Sequence, residues 1–160
     1  MESGAQGFVP ASRAHGMVAF RDEGGEFPGP LEAVWAFVGS GDTHSGAHHL
    51  ANVERERLSE RQGQYSWTQR FRGAPTRFGM RWSSFYPLGL AYEVLEGPFL
   101  GSVFFLFYEA KGPRTAVSLV GDFRSPSLPE RDLLSAVKEF FDQEFEDDTA
   151  GLIEWASRRP

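Results

Sequence analysis

The chain has 160 residues, 41% of them hydrophobic, and a formal charge of −6 at pH 7 with a pI near 5.2. That length is enough for one domain with a substantial core, and the acidic balance argues against general affinity for nucleic acid or anionic membranes, which are gripped by clustered Lys and Arg. With no cysteine, disulfides, thiolate nucleophiles, zinc ribbons and iron–sulfur clusters are excluded, and any metal would have to be held by His, Asp or Glu.

The opening MESGAQGFVPASRAHG lacks a basic start followed by an apolar run, and no apolar stretch reaches membrane-spanning length. A soluble, cytoplasmic protein without stable membrane insertion is expected. Residues 1–14, rich in Gly, Ala and Ser, are expected to form a flexible leader ahead of a single domain over residues 15–159. GMVAF, residues 16–20, predicts a short strand with Val18 and Phe20 on one face, followed by a turn over DEGGEFPGP. PLEAVWAFV then places Leu31, Val34, Trp35 and Val38 at helical spacing, with Pro30 at the start and Gly39 and Gly41 at the end.

The next stretch, GDTHSGAHH, holds three of the four histidines. Capped by Asp42 or Thr43, it predicts a second short helix, weakened by Gly46, on which His44 and His48 project from one face at a spacing that a transition metal can bridge. Two ligands are not a site. A third donor such as Asp42 is needed, and the expectation is that no metal and no cofactor is bound.

Beyond Leu50 the periodicity becomes alternating. NVERERLS is a charged strand suited to a sheet edge. QYSWTQRF places Tyr65, Trp67, Gln69 and Phe71 on one face and Arg70 on the other, and TRFGMRWSSFY sets Phe78, Met80 and Trp82 against Arg81 and Phe85. LAYEVLEG sets Leu90, Tyr92 and Val94 against Glu93. A hairpin turning at KGPR follows: its first arm is apolar on both faces, Phe104 and Leu106 on one, Val103, Phe105 and Phe107 on the other, and its second arm carries Val117, Leu119 and Phe123 together. The second apolar face calls for a cover, either the leader or a second copy in a homodimer. A last helix starts with capping-box spacing at Ser127 and Glu130 and carries a stripe of Leu134, Val137, Phe141, Phe145, Leu152 and Ala156, loosened at Gly151. Its acidic DQEFEDD face is expected to be solvated.

Strand, two short helices, six strands and a long helix segregate in sequence, which indicates an α+β fold with an antiparallel sheet packed on a helix. FPGPLEAVWAFVGSGD and the later VSLVGDF resemble the START-like superfamily (SRPBCC, polyketide cyclase-like), from about Gly16 to Trp155. The resemblance implies a helix-grip fold: a curved antiparallel seven-stranded sheet wrapped around a long C-terminal helix, with two short helices after strand 1. It also implies a cavity between sheet and helix for a hydrophobic or aromatic small molecule such as a lipid, polyketide or isoprenoid-like compound. The chain departs from the family where SGAHH replaces the aromatic residue and proline that often follow the second helix start.

The 15 Phe, 4 Trp and 4 Tyr suit a ring-lined cavity. Candidate ligand-binding residues are Trp35, Trp67, Phe78, Met80, Trp82, Tyr92, Phe104, Leu119, Phe141 and Phe145. No nucleophile-elbow, phosphate-loop or zinc-helix motif is present, so a cyclase- or aromatase-like enzyme would work by placement, with His48, Arg81 and Glu93 as weak catalytic candidates. Arg70 and Asp122 are further charged groups in apolar strands whose direction the pattern leaves open. A module that assembles through an exposed aromatic sheet face is the third reading.

Overall fold

The structure, a computed structural model, describes residues 16–159; the expected leader over residues 1–14 lies outside them. One sheet of seven antiparallel strands holds β1 (Val18–Phe27), β2 (Ala51–Arg57), β3 (Gln62–Phe71), β4 (Ala74–Phe85), β5 (Gly89–Glu96), β6 (Val103–Lys111) and β7 (Arg114–Phe123) in the order β1-β7-β6-β5-β4-β3-β2. β1 and β2 are consecutive yet occupy opposite edges, so α1 (Leu31–Val38) and α2 (Asp42–Ala47) carry the chain across the sheet between them. The sheet curves around α3 (Glu130–Ser157), which is the expected helix-grip arrangement.

Alternation decides which side chains meet the helix. Trp67, Phe78, Met80, Val94, Phe104, Leu119 and Phe123 point to the concave face and form one buried cluster with Leu133, Ala136, Val137 and Phe140 of α3. A second cluster gathers Phe27, Val34, Phe37, Leu90, Tyr108, Val117 and Leu152 under the helix pair. In each cluster rings meet closely, Phe78 tilted against Phe140 at 5.3 Å and Phe27 stacked on Phe145 at 5.1 Å, and such ring pairs add to the stabilisation from buried area.

Four local expectations are corrected. DEGGEF is strand rather than turn: β1 runs on to Phe27 because a bulge between Asp22 and Gly25, with Gly24 at φ 90°, absorbs the irregularity while pairing to β7 continues. Ser127 does not cap α3; Pro129 precedes the first turn, and the Ser125 hydroxyl instead accepts from the N–H groups of Ser127 and Leu128. The buried stripe runs through Leu133, Ala136, Val137 and Phe140, so Leu134 is 49% exposed and Ala156 is exposed. Val137, Phe141, Phe145 and Leu152 of the expected stripe do face inward; Leu133, Ala136 and Phe140 complete the face in place of Leu134 and Ala156, at positions equally compatible with helical spacing.

Gly151 does not interrupt α3, which stays helical to Ser157. Its role is close approach: a Cβ there would lie 2.7 Å from Phe37 Cζ and 2.7 Å from Ala47 Cβ. Alanine at an exposed helix position gains up to about 1 kcal/mol over glycine, but overpacking a filled site costs about 1–3 kcal/mol. Gly151→Ala is therefore expected to destabilise the protein, read as a lower urea midpoint; an increase would contradict this packing account.

Candidate functional site

The void between the concave face of the sheet and the middle of α3 has a volume of about 710 Å³, within the range of small-molecule sites. Trp67, Met80, Trp82, Tyr92, Phe104 and Leu119 line it from the strands, Phe141 and Phe145 from α3 and Trp35 from α1. Nine of the ten residues named from sequence thus face one space. Phe78 does not: it is fully buried between Trp67 and Phe140, where the N-terminal half of α3 sits directly on the sheet. Burial pushes the phenols of Tyr65, Tyr92 and Tyr108 above their ordinary range, so these rings stay neutral.

One wall is polar. α2 is short, but it sets His44 and the residue closing its end, His48, on the side that faces α3. Both Nε2 atoms lie 2.8 Å from the same Asp148 Oδ1 and 3.1 Å from each other. His48 is buried, and its Nδ1 lies 3.1 Å from Glu144 Oε2 and 3.5 Å from Asp147 Oδ2. Gln69 of β3 donates to Glu144 Oε1 at 3.1 Å, and Trp67 donates its indole N–H to Gln69 Oε1, which ties Glu144 to the sheet.

The electrostatics follow from these contacts. Burial alone would lower the His48 pKa, but the hydrogen bond to Asp148 and the charges of Glu144, Asp148 and Asp147 outweigh it and raise the value to about 9. Burial likewise works against the Asp148 carboxylate, yet its hydrogen bonds to His44 and His48 and their charges hold it down at about 2. Glu144 goes the other way: desolvation, helped by Asp148 and Asp147, pushes it up against the opposing pull of His48 and Gln69.

The expected third donor, Asp42, is not part of this group; it is exposed and binds Arg55 at 2.9 Å. His49 is exposed too. Of the weak catalytic candidates only His48 faces the cavity. Arg81 and Glu93 pair across β4 and β5 at 3.1 Å with both side chains substantially exposed, and Arg70 and Asp122 are exposed as well.

Glu144, Asp147 and Asp148 were missed because DQEFEDD reads as a solvated face. Only part of it is: Asp142, Gln143 and Glu146 are exposed, whereas Glu144, Asp147 and Asp148 turn inward. The available signal was spacing, since positions 141, 144, 145, 148 and 152 form one helical row.

No protein-family model matches the chain, and no curated protein matches it. Among solved structures it is similar to the Zhui aromatase/cyclase from Streptomyces sp. R1128, with a TM-score of 0.70 and 14% identity over 89% of this chain and 95% of that one. It is similar to a START superfamily protein from Mycobacterium smegmatis, with a TM-score of 0.66 and 12% identity over 88% and 99%. A major latex-like protein 151 from Panax ginseng matches with a TM-score of 0.65 and 12% identity over 84% and 96%. The chain shares the helix-grip fold of these structures.

The outward placement of Arg81 has a measurable consequence. An exposed ion pair contributes about 0–1 kcal/mol, so Arg81→Ala is expected to shift stability by no more than that and to leave occupancy of the cavity by an apolar dye unchanged. Loss of dye binding in a folded Arg81→Ala variant would show that the side chain reaches inward.

Proposed function

We propose that this protein binds a hydrophobic or aromatic small molecule, of lipid, polyketide or isoprenoid-like character, in the cavity between sheet and α3. The observation that carries this reading is a void of about 710 Å³ walled largely by rings on the sheet side, with a histidine–carboxylate wall from α2 and α3 and further polar groups, Arg55, Glu56, Arg57 and Gln64, at its β2–β3 side. Small-molecule sites have this composition: mostly apolar walls with a few placed polar groups that fix orientation. Trp35, Trp67, Met80, Trp82, Tyr92, Phe104, Leu119, Phe141 and Phe145 would make the apolar contact. The similar structures include a START superfamily protein and an aromatase/cyclase, which supports hydrophobic ligand binding as the general class. No helix among the described residues is long and apolar enough to cross a membrane, and the cysteine-free, acidic chain suits a cytoplasmic protein without a nucleic-acid partner.

The test is fluorescence titration with the neutral apolar dye N-phenylnaphthylamine. Leu106 lines the cavity from β6, so Leu106→Trp fills part of it and is expected to weaken dye binding at least tenfold, a loss of about 1.4 kcal/mol, with unchanged circular dichroism. No binding to the wild type, or equal affinity in the two proteins, would overturn the reading.

A second reading, a cyclase- or aromatase-like enzyme using the same cavity, is favoured by one observation: the His48 imidazole stands in the cavity wall beside carboxylates, where it can move a proton on a bound chain. A third, assembly through the convex face, rests on Val103, Phe105, Phe107 and Val120, each at least 40% exposed; a homodimer seen by light scattering would support it.

A further inference from the structure

Three donor atoms converge where α2 meets the middle of α3. His44 Nε2, His48 Nε2 and Asp148 Oδ1 form a triangle with edges of 2.8, 2.8 and 3.1 Å. If both Nε2 atoms carry hydrogen, both donate to the one Asp148 oxygen, which has the lone pairs to accept them, with the two donors only 3.1 Å apart. If one does not, its lone pair is set against an oxygen lone pair at 2.8 Å. A cation above the triangle would turn all three lone pairs into bonds.

We propose that His44, His48 and Asp148 bind one divalent first-row transition-metal ion whose remaining coordination positions open into the cavity. The spacings fit: for a metal about 2.1 Å from each donor, edges near 3 Å correspond to angles of about 90°, one face of an octahedron. Two imidazoles and one carboxylate suit zinc, iron or cobalt, whereas calcium and magnesium favour all-oxygen sets. All three residues line the void, so the open positions meet whatever occupies it.

The surroundings support ligation. A metal-bound histidine typically gives its other ring N–H to a carboxylate, which fixes the tautomer. His48 Nδ1 is buried without a formal hydrogen bond and lies 3.1 Å from Glu144 Oε2, itself held by Gln69. The His44 ring is braced edge-on by Phe37 at 5.0 Å. A ligand matched to this wall carries an oxygen donor at one end and apolar bulk at the other; that clause, unlike the metal site, rests on the cavity reading.

The test uses tag-free, chelator-stripped full-length protein titrated with Co²⁺, followed by absorption, and with Zn²⁺, followed by calorimetry. One ion per chain is expected, and in the wild type the imidazole ¹⁵N signals of His44 and His48 should shift while that of His49 does not. His44→Ala and Asp148→Asn should abolish stoichiometric binding, Glu144→Gln should weaken it about 10–100-fold, and Asp42→Asn should leave it unchanged. Leu106→Trp should keep the metal while losing the dye, so failure of one reading is distinguishable from failure of the other. Wild-type protein that takes up neither ion, or a His44→Ala/His48→Ala variant that still binds one ion per chain, would overturn the site; the wild-type titration decides even if a variant does not fold.

Discussion

α3 is held at both ends and spans a void in between, and the other features of the molecule depend on that suspension. Toward its start Leu133, Val137 and Phe140 are packed into the cluster that includes Phe78, Phe99 and Phe123. Toward its end Leu152 is buried with Phe37 and Val34, and the missing side chain of Gly151 lets α1 and α2 come close. A helix is a stiff rod whose backbone bonds run along its own axis, so fixing the two ends keeps the turns between them from sagging onto the curved sheet. Close packing, the rule for protein interiors, is satisfied at the ends and relaxed in the middle.

Those middle turns then hold a combination of residues that a filled core would not accept. Carboxylates in a dry interior are costly unless paired, yet Glu144 and Asp148 line the void and Asp147 turns in beside His48. α2 supplies the partners. It has six residues, a glycine in its last turn and no buried side chain within its span, so propensity does little for it. Tertiary contacts hold it instead: His44 and His48 to Asp148, and Arg55 of β2 to Asp42 and Ser45. The polar wall of the cavity is thus also the joint between the helix pair and α3.

How far the sequence is legible follows from the range of the forces involved. Strand faces were readable because alternation is local and one face of each strand meets the core; Trp67, Met80, Trp82 and Tyr92 share a wall because each sits at an inward position of its own strand. Phe78 occupies an equally inward position, and only the path of α3, lower over Phe78 than over Tyr92, separates a core ring from a cavity ring. The helix is harder still. Leu133 and Leu134 are both compatible with the spacing, and the acidic run resolves into inward and outward charges only once His44 and His48, about a hundred residues away in sequence, are placed opposite. That Asp148 rather than the neighbouring Asp42 meets the histidines is a fact of tertiary packing that no local pattern contains.

The two walls of the cavity differ in what they offer a guest. The sheet side presents ring faces and edges, whose attraction is broad and roughly proportional to buried area; the side formed by α2 and α3 presents directed groups locked in place by second partners. Polar groups fixed in this way lose little freedom when they engage a ligand, so their contribution to orientation is large for their number. An entirely apolar guest would leave that wall's groups paired only with one another, without the further hydrogen bond that a polar guest atom supplies. On the proposed reading, an amphipathic guest therefore gains more here than an apolar one of equal size, its polar end directed at the histidine–carboxylate wall and its apolar bulk against the rings.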